Sequence, residues 1–96
     1  MSRNRENKVE NLLHDEITAA GGTTRKWVGR IGEPDRIVII NGFICFVEAK
    51  TTTGSLSAHQ RREHERLRSH GATVFVCRGR EEVAEVVEQI VEMSKC

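Results

Sequence analysis

Ninety-six residues, 38% hydrophobic and 30% charged, are enough for one hydrophobic core over 1–96 and exclude a disordered chain or a pair of domains. The net charge of +1 leaves a nucleic-acid partner open, since the distribution of charge matters more than its sum. No apolar run approaches the about 20 residues of a membrane span, and the charged start Met1-Ser2-Arg3-Asn4-Arg5-Glu6 has no signal-peptide core, so a cytoplasmic location is expected. Cys45, Cys77 and Cys96 follow no disulfide or zinc spacing. The first two sit in apolar strand-like runs and read as small core residues.

In chain order, Val9, Leu12, Leu13, Ile17 and Ala20 recur at helical spacing, so the first twenty residues are expected to form an amphipathic helix that Gly21-Gly22 ends. Thr23 to Val28 is a short β-prone stretch, followed by the loop Gly29-Arg30-Ile31-Gly32-Glu33. Asp35–Ile40 and Phe43–Lys50 flank Asn41-Gly42, the strongest short-range signal for a hairpin with a two-residue type I′ turn. Aliphatics on both faces of the first hairpin strand predict helices on both sides of it. Ser57 and Gln60 form a capping-box pattern for a second helix, which Gly71 is placed to end. Ala72–Cys77 reads as a buried strand, parallel to the second hairpin strand because a helix intervenes. A final helix runs from Glu81 to about Met93, with Val83, Val86, Val87, Ile90 and Val91 as its apolar stripe. The expected architecture is α/β, α-β-β-β-α-β-α, with a mixed central sheet flanked by helices.

The hairpin carries the chemistry. If Ile40 pairs with Phe43, the register brings Asp35 opposite Glu48, and like charges so placed destabilise a sheet unless something offsets them. Lys50 lies two residues on, on the same face. Two hard carboxylates at close range with room for water suit Mg²⁺ or Mn²⁺, and phosphodiester hydrolysis uses such a metal to activate water and neutralise developing charge. Lys50 would orient the attacking water, help deprotonate it, or stabilise the transition state by its charge. The competing reading is an exposed Glu48–Lys50 ion pair. Against it, Glu48 ends the apolar run Phe43-Ile44-Cys45-Phe46-Val47, where a charge must face a cleft or bear a large desolvation cost.

Gly32-Glu33-Pro34-Asp35, Phe46-Val47-Glu48-Ala49-Lys50, Gly54-Ser55-Leu56-Ser57-Ala58-His59-Gln60 and Gly71-Ala72-Thr73-Val74-Phe75-Val76 occur in this order. Together they resemble the virus-type replication-repair nuclease (VRR-NUC) domain of the PD-(D/E)xK superfamily, over nearly the whole chain from Glu6 to about Val87. The resemblance implies a restriction-endonuclease-like fold and a metal site formed by Asp35, Glu48 and the backbone carbonyl of Ala49, with Lys50 as catalytic lysine. It further implies a glutamate from the first helix, Glu6 by alignment, with Glu10 one turn later on a similar face. Gln60 matches the family's glutamine, and its capping-box role is compatible with reaching the site. Lys26 resembles the family's lysine in the strand before the loop.

Arg25, Lys26, Arg30 and Arg36 surround that loop, and Arg61, Arg62, Arg66 and Arg68 lie on the second helix, so both groups are candidates for phosphate contacts. Glu63 and Glu65 dilute the second group. His14, His59, His64 and His70 show no ligand spacing and read as surface residues; Trp27 reads as core or interface. The expected activity is a Mg²⁺- or Mn²⁺-dependent endodeoxyribonuclease acting on branched DNA, with Holliday junctions foremost. Minimal stand-alone nucleases of this kind resemble homodimeric junction-resolving enzymes, so a homodimer without membrane association is expected, in the host cytoplasm if the protein is viral. The alternatives are a flap, nick or single-strand nuclease, or a non-catalytic DNA-binding module of a replication or repair assembly.

Overall fold

In the computed structural model, which describes residues 2–95 and the side-chain surroundings of 6–95, the elements follow in the expected order. They are α1 (Ser2–Ala19), β1 (Thr23–Lys26), β2 (Arg36–Ile40), β3 (Phe43–Lys50), α2 (Ala58–Ser69), β4 (Val74–Arg78) and α3 (Gly79–Ser94). The strands form one mixed sheet in the order β1-β2-β3-β4, antiparallel except for the parallel pair β3–β4.

Local signals account for most of the boundaries. Asn41 (φ 50°) and Gly42 (φ 77°) both take positive φ, as a type I′ turn demands, and the hairpin register runs from Ile40↔Phe43 to Arg36↔Val47 without a bulge. Ser57 caps α2 reciprocally with Gln60: the Ser57 hydroxyl accepts from the Gln60 N–H and the Gln60 amide oxygen accepts from the Ser57 N–H, both at 3.0 Å. Helix α2 ends in a Schellman motif, with Gly71 N–H donating to Arg68 O and Ala72 N–H to Leu67 O. The same pattern closes α1, where Gly21 N–H bonds Thr18 O and Gly22 N–H bonds Ile17 O.

Several boundaries shift by one or two residues, with β2 beginning at Arg36 and β4 running Val74–Arg78, and two further shifts have a visible local cause. Strand β4 passes into α3 without a loop, so α3 begins at Gly79 rather than Glu81. Gly79 (φ 75°) makes the corner, and the Glu82 carboxylate accepts the Arg78 N–H at 2.8 Å, capping the helix from inside. Strand β1 ends at Lys26, though Trp27 N–H still donates to Asp35 O at 2.8 Å before the loop departs.

The core lies on one face of the sheet. Leu13 and Ile17 of α1 and Val83, Val86, Val87 and Ile90 of α3 pack on Val38, Ile40, Cys45, Val47, Ala49 and Cys77. Burial pushes the thiols of Cys45 and Cys77 up to about 12, as expected for core cysteines. The opposite face is only partly covered. Helix α2 sits against β4, leaving Ile39 and Ile44, which pair across β2–β3, 37% and 53% exposed. The expectation of helices on both faces of β2 is therefore corrected: one twelve-residue helix anchored at the β4 end does not extend over the hairpin.

Candidate active site

The site forms where β2 begins and β3 ends. Asp35 stands one residue before β2, between buried Pro34 and Arg36, and the Trp27 N–H holds its carbonyl. Its side chain reaches across the hairpin: Oδ2 accepts the Ala49 N–H at 3.1 Å, and its neighbouring carboxylate is Glu48. The predicted facing of Asp35 and Glu48 is thus present at the end of the ladder. Burial above all, then the Glu48 charge, pushes the Asp35 carboxyl up to about 7; the Ala49 N–H opposes the shift and Glu10 adds to it. A carboxylate beside a second one and partly withdrawn from water gives up its proton less readily.

Glu48 is 3% exposed. Its Oε2 accepts from Gln60 Nε2 at 3.3 Å and lies 3.8 Å from Lys50 Nζ. Gln60 therefore does both things expected of it, capping α2 with its oxygen and reaching Glu48 with its nitrogen. Lys50 is largely shielded from solvent yet among the described residues makes only this loose pair with Glu48, which argues against a simple surface ion pair.

The first helix contributes Glu10. It is buried, and its charge contributes to the shift of Asp35, while Glu6 lies one turn earlier and is half-buried. Glu10 Oε1 also accepts from Arg36 Nε at 3.0 Å and Lys26 Nζ at 3.1 Å. Arg36 further reaches Thr24, to which the His14 ring is bonded at 2.7 Å. Two basic residues expected at phosphates thus have an internal partner. Lys26 remains 63% exposed at its side chain and keeps a free flank, whereas Arg36 ties α1 to the sheet.

The other basic candidates are on the surface. Arg25 and Arg30 are exposed beside the loop; Arg61 bonds Leu56 O and Arg62 bonds the His59 ring. That ring also contacts Ile31 O at 2.8 Å, so α2 and the loop before Asp35 clasp each other. Trp27 stands edge-on to Phe46 with ring centroids 5.2 Å apart, donates to Glu33 and is partly exposed.

Two of the four histidines read as surface residues are not: His14 is half-buried and bonded to Thr24. His64 is not a surface residue: it is fully buried, one turn after Gln60 on α2, with Nε2 3.7 Å from Glu48 Oε1. Its i+4 spacing from Gln60 was the available signal.

Among the described residues no three His, Cys, Asp or Glu side chains form a ready metal cluster. The donors on offer are the carboxylates of Asp35 and Glu48 with the Ala49 carbonyl. A sparse oxygen set of this kind suits Mg²⁺ or Mn²⁺, which retain several waters. The Glu48 Oε1 atom, buried without a hydrogen-bond partner among the described residues, and the repulsion between the two carboxylates are what a cation would relieve, so the residues fit the metal.

The VRR-NUC domain family model matches residues 6–81. A solved structure of a VRR_NUC domain superposes with a TM-score of 0.77 at 39% identity, covering 88% of this chain and 95% of that one. No curated protein matches. With the family model spanning most of the chain and the α-β-β-β-α-β-α order shared with that relative, this protein belongs to the VRR-NUC family and has its nuclease-type fold.

Proposed function

We propose that the chain is a metal-dependent, structure-selective DNA endonuclease, acting as a homodimer on branched DNA with Holliday junctions foremost. The observation that carries the reading is the arrangement of Asp35, Glu48 and Lys50 at one end of the hairpin, with Gln60 reaching in from α2. A pure binding module has no use for two carboxylates, one buried and one half-buried, held together against their repulsion.

Asp35, Glu48 and the Ala49 carbonyl would hold Mg²⁺ or Mn²⁺. When bound, the cation supplies Lewis-acid neutralisation of charge developing on the phosphate. Asp35 is aimed by the Ala49 N–H and Glu48 by Gln60, so both carboxylates are positioned before substrate arrives. Lys50, at the margin of the site and only loosely paired, is free to orient the attacking water and to stabilise the phosphate's transition-state charge. Lys26, Arg25, Arg30, Arg61 and Arg62 are exposed and would bind backbone phosphates without reading bases. Selectivity then comes from DNA shape. The open β2–β3 face, with Ile39 and Ile44 opposed, supports self-association.

Labelled four-way junctions, flaps, nicked duplexes and single strands, each incubated with wild type and Lys50→Ala, test the reading. The expected result is Mg²⁺- or Mn²⁺-dependent incision of junctions by wild type and none by the variant, with DNA binding retained. Equal behaviour of the two proteins refutes the catalytic role. Preferential cutting of flaps or single strands would instead select the alternative substrate.

A further inference from the structure

Glu48 has two oxygens and α2 addresses both. Gln60 donates to Oε2. Four residues on, and so on the same helix face, His64 turns Nε2 toward Oε1 at 3.7 Å. Glu48 Oε1, His64 Nε2 and His64 Nδ1 are the buried side-chain polar atoms without a hydrogen bond among the described residues, and two of the three face each other. Such atoms rarely stay unpaired in a native interior, and a shift of under an ångström closes this gap. A leucine or phenylalanine would fill the same space with no polar atom to satisfy, so the imidazole here calls for a role beyond packing.

We propose that His64 is a positioning residue for Glu48, donating from Nε2–H to Oε1 when the site is loaded. Gln60 and His64 then act as a two-pronged clamp from one helix, locking the rotation of the Glu48 carboxylate and leaving its remaining lone pairs for the cation. His64 touches neither metal nor DNA; it acts through Glu48. The inference rests on the metal-dependent reading of the site. A partner behind a metal ligand fixes its orientation, and its loss lowers metal affinity about tenfold to a hundredfold.

The test compares wild type, His64→Leu and His64→Gln, since the glutamine amide nitrogen falls near the position of Nε2 while leucine has no donor. Calorimetric titration with Mn²⁺ alone should show binding weakened about tenfold to a hundredfold in His64→Leu and largely restored in His64→Gln. Junction cleavage should lose kcat in His64→Leu with KM for DNA unchanged. Equal Mn²⁺ affinity in wild type and His64→Leu overturns the proposal, as does a His64→Gln no better than the leucine. Should His64→Leu fail to fold, the imidazole ¹⁵N shifts of wild type decide: Nε2 protonated with Nδ1 bare is expected, and the reverse tautomer refutes the clamp. If wild type binds no Mn²⁺, the metal reading fails on its own, and the tautomer still decides the Glu48–His64 bond.

Discussion

Replacing Asp35 with asparagine should make the metal-free protein more stable at neutral and alkaline pH while removing the metal site. In the native state the Asp35 carboxyl is pushed from 3.8 up to about 7, chiefly by burial and by Glu48. The folded protein therefore holds a proton that the unfolded chain releases, and stability falls as pH rises from about 4 through 7. One pKa unit corresponds to about 1.4 kcal/mol. The full shift would amount to about 4 kcal/mol for a completely desolvated group; Asp35 is only half-buried, and solvent screening reduces this to about 2 kcal/mol. The asparagine keeps an oxygen for the Ala49 N–H and offers an N–H to Glu48, without the charge. Urea unfolding of metal-free wild type and Asp35→Asn at intervals from pH 4 to 8 measures the difference. Near pH 4 the two should be nearly equal. By pH 8 the variant should lead by about 2 kcal/mol, with a flatter pH profile. A variant no more stable than wild type at pH 8, or one with the same pH slope, refutes the account of a frustrated carboxylate pair.

Mn²⁺ should stabilise wild type but not Asp35→Asn: mass action predicts about 1.4 kcal/mol when free metal is about ten times Kd, read as a rise in Tm reversed by chelation. Gln60 separates capping from chemistry: Gln60→Ala keeps the Ser57 cap but removes the reciprocal bond to the Ser57 N–H, and should lose about 1 kcal/mol of stability. Gln60→Glu should keep the capping box but lose cleavage, and lose stability as pH rises, because a carboxylate replaces the amide donor to Glu48 and repels it; chemical denaturation and a junction assay on both variants check this. Ile44→Lys, placing charge opposite Ile39 on the open face, should shift the molar mass measured by light scattering from dimer to monomer while leaving the fold intact, since Ile44 is already half-exposed.

Short-range chemistry made the frame legible in the sequence. A two-residue Asn-Gly turn sets the hairpin register with no outside help, and that register alone brings Asp35 and Glu48 together. The Ser57–Gln60 box and the glycines at 21 and 71 mark helix ends because their hydrogen bonds close within a few residues. What the tertiary structure decided are relations between distant elements. That Glu10 adds its charge to the surroundings of Asp35 depends on how α1 is rotated against the sheet. Arg36 and Lys26 read as phosphate contacts, and packing adds a second partner, buried Glu10, because a carboxylate leaving water needs cationic neighbours. The seating of α2 buries His64 behind Glu48 and leaves Ile39 and Ile44 uncovered. Helical periodicity places a residue on a face, but only the packed fold determines which surface that face meets.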